Sequence, residues 1–183
     1  EASWPAADVI VGNPPFLDAR KMTMEYGREY VAKLEKCYPE IARRADLCTY
    51  WFRKAHVHLS PCTSFDPVAG RAGLVGTQNI RNNESREGGL DLIVKDGTIL
   101  EAVDNQPWSG EANVHVSIVN WVKTQDPKLL PKTRRLWSKA DGASVGAAPS
   151  PRFSNEDLDP SRRGRRSYAT KRPASRGKEF ELA

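Results

Sequence analysis

Apolar positions along this chain begin as a tight block, Ala7-Asp8-Val9-Ile10-Val11-Gly12, closed at once by Asn13-Pro14-Pro15-Phe16. So short a run, stopped by Gly and two prolines, predicts a buried strand that ends abruptly in a loop. The prolines exclude a helix there and fix the loop backbone. Steps of three and four residues then take over. Tyr26, Tyr30, Leu34 and Cys37 or Tyr38 predict the inner face of a helix from about Met24 to Tyr38, ended by Pro39. Asp46 stands as the N-cap of a second helix reaching about Leu59, with Leu47, Trp51, Ala55 and His58 or Leu59 turned inward.

Residues 61–70 read as a loop rich in Pro, Ser and Gly. Ala72-Gly73-Leu74-Val75-Gly76 predicts a second buried strand, closed by Thr77-Gln78-Asn79. Ser85 to Lys95 predicts a short helix, weakened by Gly88-Gly89. Thr98–Val103 and Val114–Val122 predict two further strands, the second alternating through Val114, Val116 and Ile118. Strand, helix, strand, helix and then a strand pair is half the pattern of a doubly wound α/β sheet, with an antiparallel end. From about Gln125 the pattern stops. Residues 140–183 are dominated by Ala, Ser, Pro, Gly and Arg, with too little apolar surface to offset chain entropy, and are expected to be disordered. The expected organisation is a folded unit over 1–124 and a linker with a basic low-complexity tail over 125–183.

Composition changes this picture little. At 183 residues, 39% hydrophobic and 28% charged, the chain has the make-up of a single soluble domain. No apolar run approaches the roughly 18–20 residues of a membrane span, and Glu1-Ala2-Ser3-Trp4-Pro5 has neither the basic start nor the apolar block of a signal peptide. A cytoplasmic protein without a membrane partner is expected. The first residue is not Met, which fits a piece of a longer protein. The net charge of +5 invites a nucleic-acid reading, but nine basic and five acidic residues of 151–183 account for +4 of it. The rest is nearly neutral, so charge alone argues for no phosphate-binding surface. Cys37, Cys48 and Cys62, odd in number and scattered, suit buried thiols in a reducing compartment. His56, His58 and Cys62 match no common zinc spacing, His-Val-His at a helix end suits the surface, and no metal is expected.

The chemistry concentrates at Asn13-Pro14-Pro15-Phe16, because ligands of open α/β sheets sit at the C-terminal ends of strands. An exocyclic amine such as adenine N6 is a poor nucleophile, its lone pair being delocalised into the ring. Acceptors that hold both of its protons draw the nitrogen toward tetrahedral geometry. The Asn13 side-chain oxygen can accept one of these hydrogen bonds and the Pro14 carbonyl the other, and Phe16 offers a face for a flipped base. Catalysis of this kind is positioning and electrostatics, with no metal required.

These residues resemble a known family. Ala7 to Phe16 is similar to motif IV of class I adenine-N6 DNA methyltransferases. Three later blocks follow in the order found in the large single-chain members related to fused type II restriction-modification enzymes: Ala45–Ala55, Gly73–Arg81 and Trp108–Val119. The resemblance covers residues 7–123. It implies a partial Rossmann-like class I methyltransferase fold, namely the C-terminal half of the sheet with its antiparallel end. It further implies S-adenosylmethionine as cofactor, double-stranded DNA as partner, and a target-base role for Asn13, Pro14, Pro15 and Phe16. Thr77, Asn79 and Arg81, at the end of the next strand, are candidates to face the substrate cleft from their position alone. Asp8 is expected to be structural. The family's glycine-rich cofactor loop lies upstream of motif IV, outside this chain, and Gly73-Leu74-Val75-Gly76 is no substitute because it reads as a strand. The target-recognition domain that should follow is absent as well, and the isolated chain is expected to be inactive. Two alternatives stay open: a methyltransferase acting on RNA guanine or protein glutamine, whose similar motif more often ends in Tyr, and a non-catalytic remnant or binding module.

Overall fold

The computed structural model describes residues 4–108 and 114–137. Five strands, β1 (Val9–Gly12), β2 (Arg71–Thr77), β3 (Thr98–Pro107), β4 (His115–Val122) and β5 (Arg135–Trp137), form one sheet in the order β1-β2-β4-β3-β5. β1 runs parallel to β2 and β5 parallel to β3, while β4 is antiparallel to both β2 and β3. Four strands therefore point the same way, and the C-terminal ends of β1, β2 and β3 share one edge. The α/β class and the antiparallel strand pair expected from the pattern are both present.

Helices cover one face. α2 (Leu47–His58) lays Phe52 and Ala55 on Ala72 and Leu74 of β2 and on Val119 and Trp121 of β4, with Ile99 of β3, Ile80, Leu90 and Ile93 closing the core. Phe52 stacks on Trp121 with ring centroids 5.5 Å apart. His56 is also in this core, 1% exposed, where its Nδ1 accepts from Trp121 Nε1 at 3.2 Å and its Nε2 meets Asp96 at 2.7 Å. The surface position expected for it is thus corrected: the indole N–H and the Asp96 carboxylate satisfy both ring nitrogens and allow burial. The inner face of α2 is corrected too. Trp51 and His58 lie on its outer side, packed against Trp4.

The strand β1 was expected to be buried, yet Val9 and Val11 are 48% and 79% exposed. β1 is an edge of the sheet, and alternation turns these two valines away from the face that holds Ile10, Ala72 and Leu74.

α1 (Ala19–Cys37) starts earlier than periodicity indicated, because Asp18 accepts a hydrogen bond from the Lys21 backbone N–H at 2.9 Å. Gly27, at φ 79°, kinks it. The kink shifts the inward stripe: Met22 and Val31 are buried while Tyr26 and Tyr30 are exposed, contrary to the periodicity reading, whereas Leu34 and Tyr38 pack against the core as expected. Cys37 is exposed, whereas Cys48 and Cys62 are buried as expected.

Gly89 breaks the predicted 85–95 helix into α3 (Asn83–Gly88) and α4 (Leu90–Ile93). Beyond Gln125, where no element was expected, β5 adds to β3, and Trp137 Nε1 donates to Glu101 at 2.6 Å. Three residues are too few for alternation to show. The expectation of disorder over 140–183 concerns residues outside those described. No helix among the described residues is long and apolar enough to cross a membrane.

Candidate functional site

Asn13 emerges exposed at the C-terminal end of β1, Pro14 is buried beneath it, Pro15 is exposed and Phe16 is partly buried. A buried proline between an exposed amide and an aromatic ring leaves little freedom in the loop, since its φ is fixed and its neighbour is restricted to extended backbone. The loop is anchored behind by Leu47, whose N–H donates to the Leu17 carbonyl at 2.8 Å. Phe16 meets Trp108 edge-to-face, with ring centroids 6.1 Å apart and planes at 86°. Trp108 follows β3, and its N–H donates to Val114 O at 2.9 Å where the chain turns toward β4. The aromatic pair therefore joins the β1 loop to the β3–β4 connection, and the ends of β2 and β4 lie between them in the sheet.

Thr77, Asn79 and Arg81 lie at that same edge, at the end of β2 and in the 3-10 turn Gln78–Arg81. Their polar heads are engaged by carboxylates. Thr77 Oγ1 and Asn79 Nδ2 both donate to Asp46 Oδ2, at 2.5 and 3.1 Å. Arg81 Nη1 lies 2.8 Å from the Asp104 carboxylate of β3, and Arg81 Nε donates to Gln78 O at 3.3 Å. Burial holds the Asp104 carboxyl above its ordinary range, and the Arg81 guanidinium opposes that rise. Next to it Asn105 adopts φ 46° in a β-bulge, its N–H reaching Ser117 Oγ at 3.4 Å. Its side-chain oxygen is buried without a hydrogen-bond partner. Burial also lifts the Cys48 thiol, 3.9 Å from Thr77 Oγ1, to about 11, so it is no nucleophile near neutrality.

Asp46 is where sequence reasoning fell short. It occupies the N-cap position of α2, as expected, but makes no side-chain hydrogen bond to its own helix. Only the folded chain brings Thr77 and Asn79, some thirty positions on, against it. Asp104 and Trp108 carried no individual signal either. The Asp8 carbonyl accepts from Arg71 N–H at 3.1 Å.

Among the described residues no group of three or more His, Cys, Asp or Glu could hold a metal. Nor does any glycine-rich turn join a strand to a helix there. Gly73 and Gly76 lie within β2, where a Cβ at Gly76 would press on Phe52 and Ile80 at 3.2 Å. These glycines serve packing.

No protein-family model and no curated protein sequence matches the chain. Solved structures do. The Type IIL restriction-modification enzyme MmeI, determined in complex with DNA, aligns with a TM-score of 0.59 and 20% identity over 78% of this chain and 18% of that one. A protein described as a modification subunit of a type I restriction enzyme from Vibrio vulnificus YJ016 aligns with a TM-score of 0.50 and 13% identity, over 83% of this chain and 29% of that one. The chain shares the fold of a portion of these restriction-modification proteins and spans under a third of their length.

Proposed function

We propose that this chain is the target-base half of an S-adenosylmethionine-dependent DNA methyltransferase that modifies N6 of a flipped adenine, within a restriction-modification or phage-defence system. The observation that carries the reading is the Asn13–Phe16 loop: an exposed amide, a buried proline and a ring held edge-on by Trp108, all at the C-terminal edge of a mostly parallel sheet. Its fold likeness to MmeI, whose structure includes DNA, supports the same reading.

In this proposal the Asn13 side-chain oxygen and the Pro14 carbonyl accept hydrogen bonds from the two N6 protons. Doing so localises the nitrogen lone pair and aims it away from the loop. The N6–CH3 bond forms as the sulfonium S–CH3 bond breaks to leave a neutral thioether, and one N6 proton is afterwards released to solvent. The Pro14 carbonyl is preorganised, because Pro15 restricts Pro14 to extended backbone, so that acceptor needs little rearrangement as positive charge develops on nitrogen. Phe16 stacks on the base, with Trp108 bracing the ring. Thr77, Asn79 and Arg81 border the cleft, and the partly exposed Arg81 is the member best placed to meet DNA. S-adenosylmethionine would supply a methyl group already activated on a sulfonium, held by segments outside this chain. Double-stranded DNA is the proposed partner, and the activity belongs to the longer protein.

The test is to incubate the full-length gene product with tritiated S-adenosylmethionine and, separately, DNA, RNA and protein. Label in DNA is expected. Label confined to RNA or to protein would overturn the reading in favour of a guanine or glutamine acceptor.

A further inference from the structure

Asp46 is 4% exposed and stands directly before α2, a position from which a carboxylate ordinarily turns onto the free N–H groups of its own helix. Here it makes no side-chain hydrogen bond to that helix. One oxygen, Oδ2, accepts from both Thr77 and Asn79 at the end of β2. Its backbone N–H donates to the buried Ser85 Oγ of α3 at 2.9 Å. The next residue, Leu47, donates its N–H to the Leu17 carbonyl, one position past Phe16. A two-residue joint therefore links the loop after β1, the end of β2 and the start of α3. A carboxylate shielded from water needs donors to offset its lost hydration, so Asp46 holds Thr77 and Asn79 as firmly as they hold it.

We propose that Asp46 is a positioning residue for the methyl transfer, fixing the distance between the Asn13–Phe16 loop and the Thr77–Asn79 end of β2. This inference rests on the functional reading above. Asp46 touches neither base nor cofactor in it; it acts through Thr77, Asn79 and, by way of Leu47, the loop. A small displacement of either side of such a cleft costs rate far more than it costs binding.

Both bonds fall on one oxygen, which makes the chemistry of the test sharp. An amide oxygen at this place can accept both, whereas an isobutyl group can accept neither. The experiment is steady-state kinetics of the full-length protein on DNA with Asp46→Asn, Asp46→Leu, Thr77→Val and the Asp46→Leu/Thr77→Val pair. Each variant is assayed where circular dichroism shows it folded. Asp46→Leu is expected to lower kcat on the order of 100-fold, with KM for DNA and for S-adenosylmethionine near wild type. Asp46→Asn is expected to keep most of the rate. Thr77→Val should lower kcat as well, and the double variant should lose little more than Asp46→Leu alone. A folded Asp46→Leu protein with wild-type kcat overturns the proposal and leaves the functional reading intact. If Asp46→Leu does not fold, wild-type kcat in Thr77→Val overturns it instead. A wild-type protein that methylates no DNA overturns both.

Discussion

In the proposed function Asn13 and Pro14 would divide one task between a side-chain oxygen and a backbone carbonyl, an expectation that comes from the residue types themselves. What was not legible is how neighbouring side chains are committed. Asp46 reads as a cap, and His56 as a surface residue, until the fold supplies their partners. His56 lends itself to a separate test. Burial holds its imidazole below the ordinary value of 6.5, with Asp96 partly opposing that shift. The unfolded chain therefore takes up a proton first as pH falls through 6.5, so the folded state loses stability there and is unaffected by this group at higher pH. Urea unfolding between pH 8 and pH 5 is expected to show a steeper acid-side loss in wild type than in His56→Gln. Parallel profiles would mean that His56 is as free to protonate in the fold as out of it.

At the scale of elements, periodicity located β2, α2, β3 and β4 to within a few residues. It failed where backbone geometry, rather than burial, sets the phase. α1 is the clearest case: Gly27 at φ 79° interrupts the helix, so Tyr26 and Tyr30 do not face the core, while Leu34 and Tyr38 of the same expected stripe do. The sign of one substitution follows. In a regular helix Gly27→Ala would gain about 1 kcal/mol. At this backbone angle alanine is strained by about 1–3 kcal/mol although no atom stands within 4 Å of its Cβ. Gly27→Ala is thus expected to lower the melting temperature by several degrees, and a rise would show the two halves of α1 to be one straight helix. β5 escaped notice for a different reason, being a three-residue strand defined by its partner β3 rather than by its own pattern.

For the whole molecule, the sheet is covered by helices on the face that carries Leu74 and Trp121, while Val9 and Val11 of β1 stand out from the other. β1 has a partner on one side only among the described residues. An exposed apolar edge of this kind is a template for pairing with another chain. Produced by itself, the chain is expected to self-associate, and Val11→Lys is expected to shift it toward monomer in light scattering. Equal association of the two would place the sticky surface elsewhere.

The measurement that bears most directly on the central claim is nucleoside analysis of DNA treated with the full-length protein and S-adenosylmethionine, comparing wild type with Asn13→Ala. The account predicts N6-methyladenine from the wild type, with the rate in Asn13→Ala reduced on the order of 100- to 1000-fold by loss of one acceptor. Methylated DNA in equal amount from both proteins, or methyl groups on cytosine alone, would contradict it.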